Sequence, residues 1–118
     1  MSDEWVDEMI SEATPLLAKW RGGRVKLWEY TPTHSKLTLR VESSAVVGNL
    51  HIVCGGCGYV RGPFSWDGCD FNIRRTVGGK GGITLSDEQG GFELLCGILS
   101  VEENVEPVYY PNMGAVTA

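Results

Sequence analysis

The start of the chain is patterned as a helix, and almost everything after it is patterned as strand. At about 100° per residue, Trp5, Val6, Met9, Ile10, Ala13, Leu16, Leu17 and Trp20 share an arc of roughly 140°. Asp3, Glu4, Asp7, Glu8, Ser11, Glu12, Thr14, Ala18 and Lys19 lie outside it. The spacing predicts one helical path from about Asp3 to Arg21, kinked at Pro15 or restarted there with Thr14 as N-cap. Early acids with Lys19 and Arg21 near the end suit the helix dipole, and Gly22-Gly23 supplies the stop. Trp5, Met9, Ile10, Leu16, Leu17 and Trp20 are expected to face a sheet, with Pro15 toward solvent.

From Arg24 the period changes to two. Val25 to Tyr30 reads as a strand, followed by a turn over Thr31-Pro32-Thr33-His34. Leu37, Leu39 and Val41 alternate with Lys36, Thr38, Arg40 and Glu42, the pattern of a strand with one wet face. Leu50, Ile52 and Cys54 continue the alternation. Gly55-Gly56 then predicts a two-residue hairpin that returns through Tyr59 to Phe64. Asp67-Gly68 is a second hairpin signal before a strand from Cys69 to about Val77. A glycine-rich loop, Gly78 to Gly82, separates that strand from Ile83–Asp87. Phe92 to Val101 is apolar on both faces, which predicts a central strand or one that switches face near Gly97. Val108-Tyr109-Tyr110, between Pro107 and Pro111, is restricted to an edge, and 112–118 is expected to fray.

No helix-length period separates the strands, so parallel βαβ units are excluded. The expected fold is α+β and mostly β: an antiparallel meander of seven or eight strands (about 24–110) curled into a barrel or bent sheet. The N-terminal helix covers one open face or end. At 118 residues the chain is expected to form a single domain, residues 1–118. The 16 glycines are about twice the usual share of roughly 7%, and most sit in pairs between strands, where they mark tight turns.

The formal charge of −5 removes the basic footprint of a nucleic-acid binder. No apolar run approaches the ~18 residues of a membrane helix, so no membrane partner is expected. The acidic start lacks the basic-then-apolar order of a secretory signal, and reduced thiols in the cytoplasm follow as the expectation.

Candidate chemistry centres on Cys54-Gly55-Gly56-Cys57. Cys54, Cys57, Cys69 and Cys96 would supply four thiolates to a zinc ion, and Cys57-Gly58-Tyr59 resembles part of a zinc knuckle. Structural zinc sites draw on two close-spaced pairs, however, and only one pair exists. Cys54, Cys69 and Cys96 each fall in phase with core-type neighbours, so they are expected to be buried, reduced and unliganded. Cys57 is then the reactive thiol. A thioredoxin-like dithiol requires a helix after the motif, and Gly58-Tyr59-Val60-Arg61-Gly62-Pro63 is not one. His34 belongs to a polar turn and His51 to the wet side of a strand. Asp67 and Asp70 flank a turn, where aspartate serves conformation. No nucleophile elbow, phosphate loop or His-x-x-x-His spacing is present, and no cofactor is expected.

The aromatic residues offer recognition instead. Phe64 and Trp66 at a hairpin tip, with Tyr59 near them, form the candidate contact surface. The competing reading folds Trp66 over the end of the sheet as a plug. A small, cytoplasmic, non-catalytic binding protein that engages a protein partner (an adaptor, inhibitor or immunity-type protein) is the expectation. It rests on analogy with small acidic domains. A small-ligand-binding barrel and a zinc-stabilised module are the alternatives. A homodimer would find support in an exposed helix face or an edge strand near Val108.

Overall fold

The computed structural model describes residues 4–77 and 82–104. The closing strand expected at Val108-Tyr109-Tyr110, the tail 112–118 and most of the glycine loop lie outside those residues. Among the described residues there are one helix and nine strands. The helix is α1 (Glu4–Lys19). The strands are β1 (Arg24–Thr31), β2 (Lys36–Ser43), β3 (Val46–Gly55), β4 (Tyr59–Arg61), β5 (Ser65–Trp66), β6 (Asn72–Arg75), β7 (Ile83–Asp87), β8 (Phe92–Cys96) and β9 (Ile98–Asn104).

Every pairing is antiparallel. The strands make two sheets, one in the order β5-β1-β2-β3-β9 and the other β4-β8-β7-β6. The bent-sheet form of the expected fold is the one observed, and the sheets do not close into a barrel. Alternation decides what faces inward. Val25, Leu37, Leu39, Val41, Leu50, Ile52, Cys54 and Leu99 from the first sheet join Ile83, Leu85, Phe92, Leu94 and Cys96 from the second in one buried core.

α1 runs without a restart through Pro15. The Thr14 hydroxyl does not cap a second helix; it donates to the Ile10 carbonyl at 2.7 Å. Pro15 is exposed as expected, so the Ser11 carbonyl that loses its helical donor is on the wet side. Val6, Ala13, Leu17 and Trp20 are buried, and Met9, Ile10 and Leu16 pack partly against the core. Trp5 is the exception on the predicted face: it is the second residue of the helix, and 49% of it is exposed. The helix lies between the outer strands of the two sheets. The Leu99 amide of β9 donates to Met9 Sδ at 3.5 Å, and Arg75 at the end of β6 pairs with Asp7 at 2.7 Å. One seam of the sandwich is thereby closed.

Two expected hairpins are not formed. β3 already has β2 and β9 as neighbours, so it has no edge left for β4. Gly56, with φ +63°, instead steers the chain into the second sheet, where β4 pairs with β8. Asp67-Gly68 likewise does not turn one strand back on the next. β5 pairs with β1, whereas β6 pairs with β7 across the molecule. The doubly apolar run does switch at Gly97, and β8 and β9 belong to different sheets.

Candidate binding surface

The seam opposite the helix is where the expected contact residues collect. After β4 the chain crosses from the second sheet to the first in three residues, Gly62-Pro63-Phe64. Gly62 permits the crossing. Its φ is +143°, and a Cβ there would meet the Phe92 ring at 2.9 Å and its Cα at 3.0 Å. The Phe64 carbonyl accepts from the Leu27 amide at 2.7 Å, which ties the crossing to β1. β5 pairs with β1 only at Val25 and Lys26. No strand among the described residues pairs with the outer side of β4, or, from Trp28 onward, with the edge of β1 that faces away from β2.

Side chains that belong to the core by phase are therefore uncovered. Tyr30 is the cross-strand partner of buried Leu37, yet is 52% exposed. Val60 is opposite buried Leu94 and is 44% exposed. Phe64 stands 81% exposed on the crossing. Tyr59 and Trp28 are also exposed on the same two strands. The sequence marked Phe64 and Tyr59 as contacts but not Val60, whose strand phase reads as core, nor Tyr30, which reaches the core side only through the register shift between Leu27 and Glu29 that simple alternation does not show.

Trp66 is placed differently from its two companions. Its indole stacks on Phe92 with centroids 5.0 Å apart and meets Phe71 edge-on at 5.9 Å. Its Nε1–H donates to Asp87 Oδ2 at 2.7 Å. Asp87 is buried, and its carboxylate also accepts from the amides of Asp70 and Gly90 at 3.0 and 3.2 Å. Gly90 has no side chain because the Trp66 ring fills that space. Trp66, partly buried, thus packs over the end of the sandwich, which is the competing role.

The thiols divide into a group of three and one apart. Cys69 Sγ donates to the Trp20 carbonyl at 3.4 Å, near the end of α1. Cys54, Cys57 and Cys96 gather where the chain enters and leaves the second sheet. All four are free; Cys54, Cys69 and Cys96 are buried and Cys57 is half-buried. Among the described residues no three His, Cys, Asp or Glu side chains are arranged to hold a metal ion, so the four-cysteine zinc set is not assembled. Burial, and then the nearby Cys96, push the Cys57 thiol up to about 11. Its exposure is as expected, but a thiol this basic is a weak nucleophile at neutral pH.

The outer face of the first sheet carries the histidine that strand phase placed there. His51 lies between Arg40 and Glu102 on neighbouring strands, with Trp28 at 6.2 Å and the Arg40 guanidinium 4.3 Å from the Trp28 ring centre. Burial first, then Arg40, lower its pKa from 6.5, and Glu102 opposes them. Its Nε2 is buried without a hydrogen-bond partner among the described residues. Arg40 Nε is 2.9 Å from Glu42 Oε2, too poorly aligned for a hydrogen bond but close enough to compensate its charge. His34 is exposed in the turn after β1 and Asp67 lies at the surface after β5. Neither joins His51, so no acid–base pair is built from them.

Neither a scan against protein-family models nor searches of the curated proteins and of the solved structures finds a match to this chain.

Proposed function

We propose that the chain is a non-catalytic protein-binding domain whose contact surface is the open seam between β1 and β4. One observation carries this reading. Residues in core phase, Tyr30 and Val60, are left uncovered beside the fully presented Phe64, whereas the opposite seam is closed by α1. Exposed aromatic side chains grouped with an aliphatic neighbour are the composition of interface centres. The reading modifies the sequence expectation in one respect: Phe64 remains at the centre of the surface, Tyr59 stands at its margin on the opposite face of β4 from Val60, and Tyr30 and Val60 replace Trp66. A cytoplasmic setting belongs to the same reading, since it keeps four free thiols reduced.

A photo-crosslinking amino acid at position 30, 60 or 64 tests it in the native host, with positions 12 and 100 on the exposed helix face and on β9 as controls. The seam positions should give one dominant protein adduct and the controls none. An adduct of twice the chain mass would identify the partner as a second copy. Equal capture at all five positions, or none at 64, would refute the seam.

A further inference from the structure

Cys54 ends the inward-facing series of β3, and Cys96 ends that of β8. The two strands belong to different sheets, but their ends are pinned together. The Gly97 amide donates to the Gly55 carbonyl at 3.0 Å, and the Gly58 amide to the Leu95 carbonyl at 2.9 Å. Each bond lies within a few residues of both cysteines, so the two buried thiols are brought near each other inside the core where the sheets converge, close enough for each to shift the other's ionisation. Cys57 stands next to them, its thiol 3.4 Å from the Cys54 carbonyl and half open to solvent.

We propose that Cys54 and Cys96 form an oxidation site for small peroxides, closing a reversible disulfide that ties β3 of one sheet to β8 of the other. Cys96 is the less deeply buried of the two, 5% exposed against 0% for Cys54, and their mutual influence lowers the Cys96 pKa and raises that of Cys54, so Cys96 is the thiol that meets the oxidant and Cys54 the one that resolves. The Cys96 thiolate attacks one oxygen of hydrogen peroxide. An S–O bond forms, the O–O bond breaks, and the departing hydroxide takes up the proton that Cys96 lost, giving water and a sulfenic acid. The Cys54 sulfur then attacks the sulfenic sulfur. The S–S bond forms as the S–OH bond breaks, and the leaving hydroxide takes the Cys54 proton as a second water. Two thiols give up two electrons in total, and one peroxide becomes two waters. Burial selects the oxidant: hydrogen peroxide is little larger than water, whereas a peptide disulfide such as oxidised glutathione is too large to reach either sulfur. Cys57 is the half-open neighbour past which the peroxide travels and is not a member of the bond.

The experiment uses the reduced full chain, treated separately with hydrogen peroxide and oxidised glutathione, blocked with iodoacetamide and digested with trypsin. Peptide 41–61 carries both Cys54 and Cys57, and peptide 81–118 carries Cys96. Peroxide should join these two peptides in the wild type and equally in Cys57→Ser, and glutathione disulfide should not join them. The bond closes a loop of roughly 40 residues, so the thermal midpoint should rise by on the order of 10 °C and return on reduction. A bond confined to peptide 41–61, loss of the cross-link in Cys57→Ser, or over-oxidised cysteines without a cross-link would each overturn the proposal. Because the decisive reading is made on the wild type and on a substitution of half-exposed Cys57, it does not depend on a core variant that fails to fold.

Discussion

Removing the Asp87 carboxylate should be among the most damaging single changes in this chain. Its two oxygens hold three groups: Trp66 Nε1 at 2.7 Å, the Asp70 amide at 3.0 Å and the Gly90 amide at 3.2 Å. They fasten the β5–β6 connection and the β7–β8 turn to the end of the second sheet. Hydrogen bonds to a carboxylate are each worth about 1.5–3 kcal/mol net, but three on one group are not additive, and water reaches partly buried donors. Asp87→Ala should therefore cost about 3–5 kcal/mol, a fall of roughly 10–20 °C in thermal midpoint for a chain of this length. Asp87→Asn should cost about half as much. Its amide oxygen can replace Oδ2 and keep Trp66 and Asp70, leaving only the Gly90 amide facing an NH2 group.

The measurement is urea unfolding followed by far-ultraviolet circular dichroism, so that loss of a tryptophan does not remove the signal. Trp66→Phe completes a double-mutant cycle. In the wild-type background it removes one strong hydrogen bond and should cost about 1–2 kcal/mol beyond the change in ring packing. In the Asp87→Ala background it removes a donor that already lacks an acceptor, so the cost beyond the same change in ring packing should be near zero. A coupling under about 0.5 kcal/mol, the size expected of independent sites, would show that the indole–carboxylate bond does not hold this end together.

Leu17→Ala should cost about 2–5 kcal/mol, because Leu17 is buried between helix and sheet, whereas Trp5→Ala should cost under about 1 kcal/mol, since half of Trp5 is already in water; chemical denaturation reads both. Lys19, and then the Trp20 indole, lower the Glu103 pKa from 4.5. The stability this pairing gives is complete above that pH and is lost as the pH falls through the lower folded value, so Glu103→Gln should flatten the acid limb of a stability–pH curve. For His51 the folded pKa lies below 6.5, so stability should be level above that pH and decline as the pH drops through the folded value. His51→Gln should remove the decline. Gly62→Ala should destabilise the crossing, because the new Cβ meets both the ring and the backbone of Phe92 at a positive φ; thermal melting would register the loss.

Local order was legible in the sequence, and partnership between distant segments was not. The helix stands out because eight apolar residues keep a 3.6 period across Pro15. The β2 and β3 strands stand out because their alternation survives every substitution of type within it. Gly97 could be marked as a switch because a run apolar on both faces must find cover twice. The Gly55-Gly56 turn misled for a physical reason. A glycine pair sets the local backbone, but the free energy of pairing depends on whether the preceding strand still has an edge. β9, more than forty residues later, takes that edge. Trp66 illustrates the same limit, since its partner Asp87 is 21 positions away and nothing near the tryptophan announces it. The cysteines lie between these cases. Phase showed that Cys54 and Cys96 face inward, but only the meeting of two sheets shows that they face each other.

The open seam has an energetic consequence that bears on what could bind there. Burying a large apolar side chain yields about 1.5–3 kcal/mol, and Phe64, Tyr30 and Val60, exposed to 81%, 52% and 44%, still have that share of the gain to make. Together they offer roughly 3–5 kcal/mol to a partner, which only reaches the low end of the ~4–15 kcal/mol lost when two molecules become one. Side-chain burial on these residues alone would therefore give weak association. The strands beside them change that balance, because the outer side of β4 and the second half of β1 carry main-chain groups with no ladder partner among the described residues. A partner that lays an extended segment along either edge adds hydrogen bonds in register with the apolar contacts, as strand addition does elsewhere. The seam thus favours an occupant with an extended, alternately apolar segment over one presenting only a flat hydrophobic patch.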